Sequence, residues 1–116
     1  MDLYHIWCSL KPGVKDLEFA EHVRVYLDHL KDEGLIAGWR LTRRKLGLGP
    51  AELLEFHVMV EVRDLAQLDG AFGRVATRTD PVEGLHHAVN SLVSNVKFAL
   101  YRDFPDLVRE TGAERF

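Results

Sequence analysis

The strongest constraint on the fold is a strict alternation of side chains within residues 53–62. Every second position there is apolar, in the order Leu54, Phe56, Val58, Val60 and Val62. The positions between them carry Glu55, His57, Met59 and Glu61. Because successive side chains of a β-strand point to opposite faces, the pattern predicts a strand in a sheet that is covered on one face and open on the other.

Six further elements are predicted, and their order limits the topology. Strands are predicted over residues 3–10, 36–44 and 96–102, since these runs of β-branched and aromatic residues end at turn-forming residues. Apolar residues three and four apart predict one helix over 16–33 and two more that begin near Asp64 and Asp80. Asp16, Asp64 and Asp80 are the predicted N-caps.

The order β-α-β-β-α-α-β predicts an α+β, ferredoxin-like domain, in which a four-stranded antiparallel sheet carries the helices on one face. The first and third strands are expected to be neighbours at the centre of this sheet. We assign residues 1–105 to this single domain and residues 106–116 to a C-terminal tail.

The open face of the sheet is the predicted place for function. Applied to all four strands, the alternation places these side chains on the open face: His5, Trp7, Arg40, His57, Met59 and Tyr101. Aromatic and thioether groups on an exposed face mark an interface or a ligand pocket. A second copy of the same sheet is the simplest cover, so a homodimer is predicted.

Two segments resemble a known group of proteins. His5-Ile6 followed by Lys11-Pro12-Gly13-Val14 is similar to the start of stress-responsive dimeric α/β-barrel domains, and residues 55–62 resemble their third strand. The resemblance implies two ferredoxin-like sheets that face each other in a dimer. It also implies a small ligand, held between sheet and helices or inside the barrel. This superfamily includes cofactor-free monooxygenases, haem-degrading enzymes, polyketide cyclases and members with no assigned activity.

One motif departs from the plant cyclases of that group. They carry His-Pro-x-His before the last helix, with the second histidine catalytic, where this chain has Asp80-Pro81-Val82-Glu83. The cyclase mechanism would therefore require Glu83 in the place of a histidine. Glu83 has another sufficient explanation, because an acidic residue in the first turn of a helix helps to cap it.

Several functional interpretations remain open at this point. In the first, the protein binds a small aromatic or apolar molecule and acts on it in the manner of a monooxygenase or cyclase. His57 or His5 would then be the base and Tyr101 the donor to an oxyanion. Trp7, Met59, Arg40 and His86 would line the pocket. In the second, the protein is a non-catalytic stress-related or regulatory dimer, and its histidines only hydrogen-bond within the interface. In the third, it binds or degrades haem through His57 or His86.

Composition argues against several other classes of function. The chain has 18 acidic and 15 basic residues, a balance unlike the basic surface of a nucleic-acid-binding protein. The single cysteine excludes an internal disulfide, and no ligand spacing or phosphate-binding loop predicts a metal or a cofactor. No run approaches the roughly 18 apolar residues of a membrane span. Since the start shows no signal-peptide pattern, a cytoplasmic location is expected.

Overall fold

A four-stranded antiparallel sheet with three helices forms the domain in a computed structural model that describes residues 1–109 and 111–112. In chain order the elements are β1 (Asp2–Leu10), α1 (Asp16–Asp32), β2 (Gly38–Arg43), β3 (Phe56–Val62), α2 (Leu65–Ala76), α3 (Val82–Asn90) and β4 (Val93–Arg102). The strand order β2-β3-β1-β4 places β1 and β3 at the centre. The ferredoxin-like prediction is confirmed. Residues 110 and 113–116, which belong to the predicted tail, lie outside the described part of the chain.

The core lies between the sheet and the helices. Along β3 the buried side chains are Phe56, Val58, Val60 and Val62, while the residues between them are only half-buried. From α1, the core receives Phe19, Val23, Leu27 and Leu30. The alternation of β3 therefore identified its covered face correctly, because burial of those apolar side chains is what holds the helices on the sheet.

Strand boundaries differ from the predicted ones in one informative place. β4 begins at Val93, three residues before the predicted start, in a segment whose apolar pattern had favoured helix. Trp7 pairs with Lys97, but Ser9 pairs with Ser94, so β4 carries one extra residue between these pairs. A bulge of this kind breaks the alternation on which the prediction of β4 rested. β2 and β3 also begin later than predicted, at residues 38 and 56.

The predicted helix caps are correct for one helix out of three. Asp64 is the N-cap of α2, and its carboxylate accepts a first-turn backbone N–H at 2.8 Å. The prediction is wrong for α1, where Lys15 is the N-cap and Asp16 is already helical. It is also wrong for α3, where Pro81 holds that position. Asp80, the residue before this N-cap, still accepts a hydrogen bond from the backbone N–H of Gly84 in α3 at 3.1 Å.

No helix among the described residues is long and apolar enough to span a membrane.

Candidate functional site

The sheet separates two candidate sites, and β1 contributes to both. Tyr4, Ile6 and Cys8 point toward the helices, where they line a cavity that we call the helix-side cavity. His5 and Trp7, at the alternate positions, lie on the opposite surface of the sheet, which we call the open face. Because side chains alternate along a strand, one nine-residue strand supplies a wall to each site.

On the open face, four aromatic rings from three strands form a cluster, which we call the ring cluster. His5 Nδ1 lies 2.8 Å from His57 Nε2, a hydrogen bond between the two imidazoles. Trp7 stacks on His57 with ring centroids 4.7 Å apart and an angle of 7° between the planes. Tyr101 packs edge-on against His5, with centroids 5.0 Å apart.

The sheet register explains why these four rings meet. Trp7 lies directly opposite His57 in the pairing of β1 with β3, and His5 lies opposite the next residue on the same face, Met59. His5 and His57 are thus diagonal neighbours, at a separation that long or aromatic side chains can bridge. Tyr101 joins them because β4 pairs it with the residue at position 3 of β1.

Both imidazoles of the ring cluster are held in an environment that disfavours their charged form. Burial lowers the pKa of His5. Burial also lowers the pKa of His57, and the charge on His5 lowers it further. His5 Nε2 is buried without a hydrogen-bond partner among the described residues, and His57 Nδ1 has only the hydroxyl of Thr42 at 3.5 Å. The pair is therefore neutral at pH 7, with one hydrogen between its two close nitrogens.

The helix-side cavity has a volume of about 320 Å³ and lies between the sheet and all three helices. Its walls are mostly apolar and include Ile6, Phe19, Val58, Val75, Val89 and Val93. Phe72 on α2 and Phe98 on β4 also line it, although they are 48% and 61% exposed. These two half-exposed rings place the mouth of the cavity between α2 and the edge strand β4.

A small set of polar groups reaches the same cavity. The rings of Tyr26 and His86 meet edge-on, with centroids 5.6 Å apart, and Asn90 lies nearby on α3. Burial, with a smaller contribution from Tyr4, raises the pKa of Tyr26 to about 12, so the phenol remains protonated at neutral pH. Its hydroxyl makes no hydrogen bond in the described part of the chain, and it is not one of the fully buried unpartnered atoms. Tyr26 is therefore a free hydrogen-bond donor beside an apolar space.

Cys8 also lines the cavity, but its thiol is unreactive at neutral pH. Its side chain is buried, and burial raises the pKa of the thiol to about 11. Since the thiolate is the nucleophilic form, Cys8 is a packing residue at neutral pH.

The structure divides the predicted site residues between the two faces of the sheet. His5, Trp7, His57 and Tyr101 come together in the ring cluster, as their shared face predicted. Met59 lies opposite both His5 and Arg40 in the register of the same face, and Arg40 is exposed. His86 is not part of this group, because it lies in the helix-side cavity. In the residues that the structure describes, no three His, Cys, Asp or Glu side chains converge as metal ligands.

Sequence reasoning missed Tyr26 and Asn90. Tyr26 had been assigned to the apolar stripe of α1 with its neighbours Val23 and Leu27. The available signal was the hydroxyl, because a tyrosine within an otherwise apolar stripe needs a polar partner or a space that can hold one. Glu83, which the cyclase mechanism would have required, does not line the cavity.

Solved structures with the same fold are diverse in their described roles. A protein of Arabidopsis thaliana aligns with a TM-score of 0.70 and 9% identity, over 91% of this chain and 98% of that one. A variant of SnoaB, a cofactor-independent oxygenase from Streptomyces nogalater, aligns with a TM-score of 0.68 and 9% identity, over 93% and 97%. A dimeric ferredoxin-like protein of unknown function from Jannaschia sp. aligns with a TM-score of 0.59 and 15% identity, over 89% and 100%. At these identities the likeness shows the fold alone.

The architecture and these comparisons define the class, a ferredoxin-like α+β domain. None of the curated proteins searched matches the sequence. The chain belongs to the Family of unknown function (DUF6614), which matches it over residues 1–116.

Proposed function

We propose that the protein is a homodimer that binds one small, neutral, apolar or aromatic molecule per protomer in the helix-side cavity. The observation that carries this proposal is the cavity itself, about 320 Å³ in volume, with apolar walls and one polar end. Small-molecule sites are typically pockets of roughly 300–1,000 Å³ with a few well-placed polar groups. The cavity is at the lower limit of that range, which favours a compact ligand over a haem.

The chemistry of the lining supports a neutral ligand. Among the described residues, no Asp, Glu, Lys or Arg side chain lines the cavity, and His86 is the one histidine in its lining. A buried charge without a partner is costly, so an anionic or cationic ligand would be disfavoured there. A carbonyl, ether or hydroxyl oxygen can accept the hydrogen bond that Tyr26 has available, while the rest of the molecule contacts apolar side chains.

The dimer in this proposal is formed by the open face. In the single chain Tyr101 is exposed and the other three rings of the ring cluster are only half-buried, although stacked aromatic rings are a large apolar area to leave in water. A second copy of the same face would cover it in a symmetric contact. A ferredoxin-like protein from Jannaschia sp. with the same fold is dimeric, which supports a dimer for this chain.

A cofactor-independent enzyme is the second candidate function. It is favoured by the Tyr26–His86 contact inside the cavity, which places a phenol and an imidazole beside any bound molecule. A neutral imidazole can accept a proton and a protonated phenol can donate a hydrogen bond to a developing oxyanion. Under this candidate the acting groups lie on the helix side. The sequence-based assignment of base and donor to His57, His5 and Tyr101 remains a separate prediction for the open face.

Binding of a neutral fluorescent probe tests the proposed function. We expect N-phenyl-1-naphthylamine to bind saturably at one site per protomer. Val75→Phe fills part of the cavity and is expected to weaken binding at least about tenfold, because the probe and the added ring compete for the same volume. Val25→Phe is the matched control, since Val25 lies on the exposed side of α1 and does not line the cavity.

Two outcomes would contradict the proposal. Fluorescence that rises without saturation would mean that the cavity holds no ligand site. Saturable binding that Val75→Phe leaves unchanged would place the site elsewhere on the molecule.

A further inference from the structure

The His5–His57 contact can hold only a limited number of protons. Its two close nitrogens are 2.8 Å apart and share one hydrogen. The other two ring nitrogens, His5 Nε2 and His57 Nδ1, are the outer nitrogens of the pair. A first added proton has to bind to an outer nitrogen, and a second added proton makes both imidazoles cationic. His5 Nε2 is buried without a partner among the described residues, and His57 Nδ1 faces only a threonine hydroxyl. Neither outer position faces a carboxylate that would stabilise a cation.

The charged groups around the pair add to this effect. On the open face β2 contributes Arg40, β3 contributes Glu61, and β4 contributes Lys97 together with the phenol of Tyr101. Glu55, at the edge of the face, is already paired with an arginine of β2 at 2.6 Å. Two cations thus face one unpaired carboxylate before the histidines titrate. A second copy placed on this face would bring the same set of charges.

Another histidine of the chain shows the opposite arrangement. His29 on α1 has a carboxylate partner, because its Nε2 lies 3.0 Å from a carboxylate oxygen of Glu33. Within the described residues, no carboxylate lies within 4 Å of either His5 or His57. Only the pair on the open face combines burial, mutual contact and lack of a counter-ion.

We propose that the His5–His57 pair makes the dimer sensitive to pH, so that protonation of the pair below neutral pH separates the two copies. This inference rests on the proposed dimer and states that pH regulates its association. Separation removes the partner's cover from the two imidazoles, which lowers the cost of charging them. The helix-side cavity lies on the other surface of the sheet, so each separated chain keeps it.

The direction of the effect follows from linkage. Burial already lowers the pKa of both histidines in the single chain, and coverage by a second copy increases that burial. A group whose pKa is lower in the dimer favours association above its pKa in the separated chain and loses that contribution as the pH falls through it. If each chain takes up one proton on separation, the dissociation constant rises by up to about 100-fold per pH unit in the acidic limb.

Sedimentation equilibrium of the full chain between pH 8 and pH 5 tests the inference, with circular dichroism at each pH to confirm that the chain stays folded. We expect a dimer at pH 8 and a dissociation constant at least about tenfold larger at pH 5.5. His57→Gln keeps a side chain that can hydrogen-bond to His5 but does not titrate, so the pH dependence should become clearly weaker, because only His5 can still take up a proton. His87→Gln, on the exposed side of α3, is the matched control and should retain it.

The possible results separate the two proposals. A monomer at pH 8 would overturn the dimer and this inference with it. A dimer that persists unchanged to pH 5 would overturn the inference and leave the dimer standing, as would a pH dependence that is the same in His57→Gln. If His57→Gln does not fold, His5→Gln makes the same test, and the wild-type series alone can still refute the idea.

Discussion

Removal of one hydroxyl from the helix-side cavity should weaken the affinity for a ligand without lowering the free energy of unfolding. In Tyr26→Phe the ring and its edge-on contact with His86 are kept, and only the phenol oxygen is lost. That oxygen makes no hydrogen bond within the described residues, so no protein contact is broken. A structural tyrosine would behave differently, because loss of its hydroxyl would leave a partner unsatisfied.

The expected magnitudes follow from the same observation. A polar group without a partner in apolar surroundings costs about 1–3 kcal/mol when it is fully buried. Tyr26 is half-buried beside an open cavity, so only part of this applies. We therefore expect Tyr26→Phe to change the free energy of unfolding by between zero and about 1 kcal/mol, in the stabilising direction. A ligand that accepts the hydrogen bond should lose about 0.5–1.5 kcal/mol, which is roughly a two- to tenfold weaker affinity.

Urea unfolding and ligand titration on the same preparations measure both quantities. The ligand is a small neutral aromatic ketone, such as acetophenone, which displaces the bound fluorescent probe. Tyr101→Phe is the matched control, because Tyr101 belongs to the ring cluster on the other face. Its affinity for the ketone should equal that of the wild type. Destabilisation of Tyr26→Phe by more than about 1 kcal/mol would show a structural hydroxyl and refute the reasoning. Unchanged affinity would show that Tyr26 does not contact the ligand.

Three further predictions concern the core and the N-terminal strand. Leu30→Ala, at a position only 4% exposed, should lower the free energy of unfolding by about 2–5 kcal/mol, whereas Leu17→Ala, at 81% exposure, should change it by less than about 0.5 kcal/mol in urea titrations. Cys8, with its thiol pKa raised to about 11, should react with a thiol reagent at pH 7.5 at least about 100-fold more slowly than free cysteine, and labelling as fast as free cysteine would contradict its burial. The hydrogen bond from Arg102 lowers the pKa of Asp2, so this carboxylate stabilises the fold above about pH 4 and loses that contribution as the pH falls through its folded pKa. Acid titrations followed by circular dichroism should accordingly show a flatter acid limb for Asp2→Asn than for the wild type.

The layout of the sheet could be predicted because its signal is local and redundant. In β3, four alternating apolar residues agree on one face, and a shift by one residue would expose all of them. The start of β4 could not be predicted in the same way. Its bulge places Val93 and Val96 three residues apart in the chain yet both against the helix-side cavity. That spacing is typical of a helix, and only pairing with β1 shows that it belongs to a strand.

The candidate site could be predicted only in part, for a related reason. Alternation placed His5, His57 and Tyr101 on one face, but their contacts depend on the register between strands, which no single strand encodes. A cavity is harder to foresee, because it is the volume that packing leaves unfilled between elements distant in the chain. Tyr26 and His86 come from α1 and α3, and each is unremarkable in its own segment.

The alternation of β1 has a consequence for how experiments on this protein are interpreted. Tyr4 and Ile6 border the helix-side cavity while His5, between them, belongs to the ring cluster, so both surfaces share one backbone. If occupation of the cavity moves this strand, the move reaches the proposed interface without any intermediate element. Thermodynamic reciprocity then requires that self-association change ligand affinity by the same factor by which ligand changes self-association. Affinities measured at micromolar and at nanomolar chain concentrations would then differ, and that difference would measure the coupling across a single strand.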